Sequence, residues 1–310
     1  MPSITRRAVL AAPLAAPLAA IAAPARALDP RPAVASFSIL ADILREVGGP
    51  FLSIDTIVGA EKDAHGFQPA PSDAQKLARA RFIVVNGLGF EGWMPRLIRA
   101  SGFKGTQITA SRGIATIKPA QGHGHSHGHN HSHGDEADPH VWQDPRRVQQ
   151  MVRTIAEGLA GADREAAEAY RANAARFVGE LQALDTWVAE QFATIPRARR
   201  RVVTSHDAFG YFGARYGIDF LSPQGLSTRS EPSAQGIARL VQQIRRDRIT
   251  ALFIETGANP RVLEQVAAES GARIGGRLFA DALSKADGPA PSYVALIRHN
   301  TRAIAEALAG

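Results

Sequence analysis

Short apolar runs alternating with segments of helical period organise this chain. Residues 32–38 read as a buried strand, a helix is expected over about 39–47 up to the Gly48-Gly49 stop, and Leu52 to Val58 reads as a second strand. A polar loop from Gly59 to Pro69 then leads into Ser72-Asp73-Ala74-Gln75, where serine followed three residues later by glutamine predicts a capping box. Phe82 to Asn86 and Thr106 to Thr109 are further strands, with a helix over about 93–100 between them. Beyond Asp144 one helix is expected over 146–159 and a second from about Asp163 to Phe192, with Tyr170, Phe177, Leu181, Leu184 and Val188 on one stripe of 3.6-residue period. At about 1.5 Å per residue the second helix would be on the order of 45 Å long. The strand and helix alternation then restarts. Strands are expected over 201–205, 218–221 and 250–254 with an extended 276–280, and helices over 208–216, 233–247, from Asn259-Pro260 to Gly271, and over 292–308.

Strands alternating with helices build βαβ units, so the expected class is α/β: two lobes, each a parallel sheet flanked by helices, joined by one long linking helix. The divisions are an N-terminal lobe over 28–160, a linking helix over 161–195 and a C-terminal lobe over 196–310. Open sheets of this kind bind ligands beyond the carboxyl ends of their strands, which is where His65 falls.

Composition narrows the function. At 310 residues the chain can form two domains of about 120–150 residues, each with its own core. It contains no cysteine, which excludes disulfides, thiolate metal sites and a lipid-anchored cysteine, and leaves histidine and carboxylate as metal ligands. Arg6-Arg7, the apolar Ala8 to Ala23 and Ala25-Arg26-Ala27 predict a cleaved export signal over 1–27. Thr5 to Leu10 resembles a twin-arginine signal, with a general secretory signal as the alternative. No later segment is long and apolar enough to span a bilayer. Loss of the signal takes the net charge from +7 to +4, and low aromatic content without a stacking motif argues against nucleic acid as a partner. A single long spine predicts a monomer.

Histidine carries the chemistry. His123, His125, His127, His129, His131 and His133 occupy every second position of the loop over 122–134, separated by Gly, Ser and Asn, and imidazole-rich tracts bind metal. Downstream lies Asp138-Pro139-His140-Val141-Trp142. His65, His140, His206 and Asp281 are spaced 75, 66 and 75 positions apart, two in each lobe, each at or beside an expected strand end or loop. If the carboxyl-end faces of the sheets point at one another, three imidazoles and one carboxylate converge: a closed tetrahedral set suited to holding zinc rather than to hydrolysis. Asp207, Glu255 or water are alternatives to Asp281 as the fourth donor. Asp138 and Asp207 are expected either to orient the imidazoles or to cap helices.

Asp63-Ala-His65-Gly-Phe67-Gln-Pro69, Asp138-Pro-His140-Val-Trp142, Ser205-His206-Asp207-Ala-Phe209 and Leu278-Phe-Ala-Asp281-Ala-Leu283-Ser284 together resemble the ZnuA-type zinc-binding solute receptors of ABC transporters, over essentially the whole mature chain. The resemblance implies a periplasmic receptor, not an enzyme, that holds Zn2+ on His65, His140, His206 and Asp281 between its lobes and delivers it to a membrane permease. Manganese-carrying relatives place a second carboxylate where His206 stands. Gln68 departs from the Glu of many relatives. The His-rich loop is expected to capture zinc, or to receive it from a periplasmic metallochaperone, for transfer to the cleft. The competing functions are a manganese receptor of the same type, a periplasmic zinc buffer or chaperone, and, from another class, a zinc hydrolase, which would need an open coordination position and a general base.

Overall fold

The computed structural model describes residues 29–118 and 137–309. The export signal expected over 1–27 and the six histidines from His123 to His133 lie outside the described residues. The first lobe begins with β1 (Arg31–Phe37), α1 (Ser38–Gly48) and β2 (Leu52–Val58), followed by α2 (Pro71–Arg79), β3 (Phe82–Val85), α3 (Met94–Ser101) and β4 (Thr106–Thr109). All four strands are parallel in the order β2-β1-β3-β4. From Ala33 to Phe37, β1 is buried on both faces, as a central strand covered by helices on each side must be.

The start of α2 differs from expectation. Pro71 is its first residue, and Asp73 accepts the Ala70 N–H at 2.9 Å, so the Ser72/Gln75 capping box does not form. Proline has no amide to satisfy and its fixed φ suits the first helical position, which moves the helix start one residue ahead of Ser72.

α4 (Pro145–Ala162) is capped by Asp144, whose carboxylate accepts the Arg146 N–H at 2.9 Å. α5 (Ala167–Phe192) has 26 residues, about 39 Å. It starts four residues later than expected because Asp163 ends α4 instead of opening α5, and its carboxylate accepts the hydroxyl of buried Tyr170 at 3.0 Å. α5 packs against α1 and α4 of the first lobe and reaches α6 and α9 of the second.

The second lobe repeats the plan with β5 (Arg201–Val203), α6 (Gly210–Tyr216), β6 (Asp219–Leu221), α7 (Ala234–Asp247), β7 (Ala251–Glu255), α8 (Arg261–Ser270), β8 (Arg273–Leu278) and α9 (Tyr293–Ala309). Its sheet, order β6-β5-β7-β8, is also all parallel. One buried apolar cluster runs from Phe37 and Trp142 through Tyr170, Phe177 and Phe192 on α5 to Phe212, Phe253 and Tyr293. A smaller one, with Val203, Leu240, Ile244, Leu252, Leu263 and Val266, lies under α7 and α8. Because the larger cluster is continuous from lobe to lobe, the lobes are joined by packed side chains as well as by the chain itself.

Candidate metal centre

Three of the four expected ligands follow strand ends. His65 lies on the loop between β2 and α2, His206 follows β5, and Asp281 follows β8; His140 immediately precedes a short 3-10 turn, Val141–Gln143, that leads to Asp144 and α4. All four are buried, with relative exposures of 6% for His65, 0% for His140, 1% for His206 and 7% for Asp281. One donor atom from each lies within 4.8 Å of every other.

The spacing is that of a coordination polyhedron. His65 Nε2 is 3.2 Å from His140 Nε2 and 3.3 Å from Asp281 Oδ2; Asp281 Oδ2 is 3.2 Å from His206 Nε2, and Oδ1 is 3.7 Å from His140 Nε2. A regular tetrahedron with metal–donor bonds of about 2.0–2.1 Å has edges of about 3.3–3.4 Å. Internal pairing does not satisfy every donor atom: His206 Nε2 meets only the Asp281 carboxylate, as an ion pair, and Asp281 Oδ1 is buried with no hydrogen-bond partner among the described residues. Groups of this kind are costly to bury unless something else engages them.

The nitrogens facing away from the centre are held by carboxylates. Asp138 Oδ1 accepts the His140 backbone N–H at 2.9 Å and lies 2.8 Å from its Nδ1. Glu255 does the same for His206, bonding Nδ1 with Oε2 and accepting the backbone N–H with Oε1 at 3.1 Å. From the sequence, Asp207 is expected either to orient an imidazole or to cap a helix. The carboxylate bonded to His206 Nδ1 is Glu255, the last residue of β7, because β7 pairs with β5 and brings Glu255 beside His206 beyond the end of β5. A carboxylate ending a strand was the available signal; nothing local said which histidine it would face. Glu255→Gln, which removes that charge, is expected to weaken metal binding about 10- to 100-fold without unfolding the chain, as read by competitive metal titration. Unchanged affinity would show that Glu255 only fills space.

Burial opposes a charge on His206, but the Glu255 and Asp281 carboxylates outweigh it and lift the imidazole well above its ordinary value of 6.5. Burial likewise favours the neutral form of Asp281, yet the neighbouring His206 charge and the other imidazoles hold its carboxyl well below the usual range. In the metal-free centre the Glu255 and Asp281 carboxylates favour a proton on His206, in competition with an incoming cation. The sign follows: affinity falls as pH is lowered, by about tenfold per pH unit for each proton displaced, and the fall begins above pH 6.5 rather than at it. Titrations between pH 5.5 and 8.5 check this, and a flat profile across that range would contradict it.

The model of the family described as zinc-uptake complex component A, periplasmic (ZnuA), matches residues 33–307. The manganese-binding lipoprotein MntA of Halalkalibacterium halodurans is 32% identical over 267 residues, covering 86% of this chain and 85% of that protein. The iron-binding protein YfeA of Yersinia pestis is 28% identical over 274 residues, covering 88% and 85%. Among solved structures, the periplasmic zinc-binding protein TroA of Treponema pallidum aligns with a TM-score of 0.81 at 27% identity, covering 90% of this chain and 99% of that one. A manganese-bound periplasmic metal-binding protein from Candidatus Liberibacter asiaticus aligns with a TM-score of 0.78 at 26% identity, with the same coverage. Manganese, iron and zinc are all represented among these relatives, so the likeness extends to metal carriage and does not select one metal.

Proposed function

The chain belongs to the ZnuA family and is a metal-binding substrate-binding component of an ABC transporter, and on that premise we propose that its cargo is zinc, held by His65, His140, His206 and Asp281. One observation carries the choice of metal: three imidazoles and one carboxylate converge within 4.8 Å, and three of their donor–donor separations, at 3.2–3.3 Å, match the edges of a tetrahedral zinc site. Manganese prefers octahedral oxygen donors, and three imidazoles serve it poorly. Four protein donors leave no open position for an attacking water, so the arrangement supports binding and transfer rather than hydrolysis.

In this reading the receptor works on the extracytoplasmic side of the membrane as a monomer, takes up zinc from solution or from a metallochaperone, and hands it to the permease. The divisions at 28–160, 161–195 and 196–310 are proposed as its lobes and linker, and the histidines over 123–133 as weaker, faster-exchanging capture sites. A manganese cargo is the second reading, favoured by the 32% identity to a manganese-binding lipoprotein. Metal analysis of protein recovered from its own cells, with zinc and manganese titrations of the full chain and of a chain lacking 122–134, separates these. Zinc as the recovered metal and one tight site surviving the deletion are expected. Mainly manganese would overturn the zinc assignment, and loss of the tight site on deletion would overturn the accessory role of the histidine run. Failure of a disruption strain to grow slowly on limiting zinc would favour a zinc buffer over a receptor.

A further inference from the structure

Each histidine of the centre has its own backbone N–H bonded to a carboxylate, but the three carboxylates do not act alike. Asp138 and Glu255 also hold the ring of their histidine through Nδ1. Asp63 accepts the His65 N–H with Oδ1 at 2.9 Å and turns Oδ2 elsewhere, to the Gly66 N–H at 3.3 Å and to the hydroxyl of Thr228 at 2.9 Å. Thr228 belongs to the other lobe, on the segment between β6 and α7.

That segment is tied to the second lobe's own imidazole ligand. Gln224 forms a parallel bridge with His206, and the Asp207 N–H donates to Gly225 O at 3.2 Å. A few residues on, Thr228 crosses to Asp63. Other second-lobe groups grip the same loop: the Glu61 N–H donates to Leu283 O at 2.9 Å, and a Cβ built on Gly257 would lie 3.6 Å from Asp63 N. Gly257, at φ +87°, is in the left-handed region that glycine occupies without strain. His65 also borders a cavity of about 380 Å³ lined by Phe67, Trp93 and Arg229, so its ring adjoins open space.

We propose that Asp63 and Thr228 form a latch that makes the position of His65 depend on the closure of the lobes, so that His65 is the first ligand to leave when the ion is released. His140 and His206 are held through their rings by carboxylates of their own lobes, although the Asp138 carbonyl also accepts the Tyr211 hydroxyl of the second lobe at 2.7 Å. His65 is placed by a loop whose carboxylate takes its one bond from outside the loop from Thr228 of the second lobe, and parting the lobes breaks that bond and loosens the loop. Asp63 and Thr228 are positioning residues and touch no metal.

The inference rests on the proposed ligand set, and the experiment separates the two. Zinc release from the loaded full-length protein is timed by trapping with a chromogenic chelator in excess, for wild type, Thr228→Val and Thr228→Ser. A hydroxyl bonded to a carboxylate at a partly solvated site predicts release about three- to tenfold faster for Thr228→Val, restoration toward wild type by Thr228→Ser, and an unchanged zinc stoichiometry. Release from Thr228→Val at the wild-type rate, or Thr228→Ser as fast as Thr228→Val, would overturn the latch. A wild-type chain that holds no zinc tightly would instead overturn the ligand set.

Discussion

Replacing His206 by alanine is expected to lower zinc affinity by about 10²- to 10³-fold. Tight protein zinc sites are worth roughly 10–16 kcal/mol, which over four ligands is about 2.5–4 kcal/mol each. His206 is the most telling of the four to remove. Its loss leaves Glu255 buried at 2% exposure without the ring it bonds, and Asp281 without the nearest nitrogen donor on its own lobe. The variant should still fold, because β5 and β7 remain paired, and its far-ultraviolet circular dichroism should match that of wild type. Competition against a chelator of known affinity measures the effect. A loss of less than about tenfold would mean that His206 is not a ligand. Substituting glutamate instead tests metal choice in the same series: a second carboxylate should narrow the preference for zinc over manganese, since manganese favours oxygen donors.

Trp142→Ala is expected to have the largest effect on stability. Trp142 is fully buried, with its ring centroid 5.0 Å from that of Phe37, 4.7 Å from Phe90 and 5.2 Å from His140. Its indole Nε1 donates to Ala280 O at 2.8 Å, and its carbonyl accepts the Tyr293 hydroxyl at 2.8 Å. Truncating such a side chain costs about 3–5 kcal/mol from lost burial and the cavity left behind. For a chain of this size that corresponds to a drop in Tm on the order of 10 °C, measured on the metal-free protein. Ala280 precedes Asp281, so the indole also joins the turn carrying His140 to the strand exit carrying Asp281. Metal affinity should therefore fall together with stability. Trp142→Phe, which retains most of the volume and loses the Nε1 donor, should recover much of the stability while leaving Gln143 Nε2, at 2.8 Å, as the remaining side-chain donor to Ala280 O. A Trp142→Ala variant with wild-type Tm would show that the cluster around it repacks freely.

Much of the fold was legible because its signals are local. The buried strand at Ala33 to Phe37, the glycine stop after α1 and the stripe of Tyr170, Phe177, Leu181, Leu184 and Val188 on α5 are written in consecutive residues. Errors arose where two local signals competed. Ser72 with Gln75 suggested a capping box, but Pro71 and Asp73 fit the same turn better. Asp163 reads as a helix start, yet it terminates α4 because its carboxylate is drawn to the Tyr170 hydroxyl and lies 3.4 Å from the Arg31 guanidinium.

Residue types and their order settle which donors are available and where they sit relative to strand ends: without cysteine, a metal site here had to draw on imidazole and carboxylate, and strand–helix alternation puts the exits of parallel strands on one side of each sheet. Which distant groups face one another is a matter of packing between elements far apart in the chain. Glu255 backs His206 from 49 positions away, Thr228 reaches Asp63 across 165, and Trp142 bonds Ala280 across 138. Periodicity records what each segment buries and not which neighbour covers it. Those pairings come into being when β5 takes β7 as its neighbour and the two lobes close on a common core.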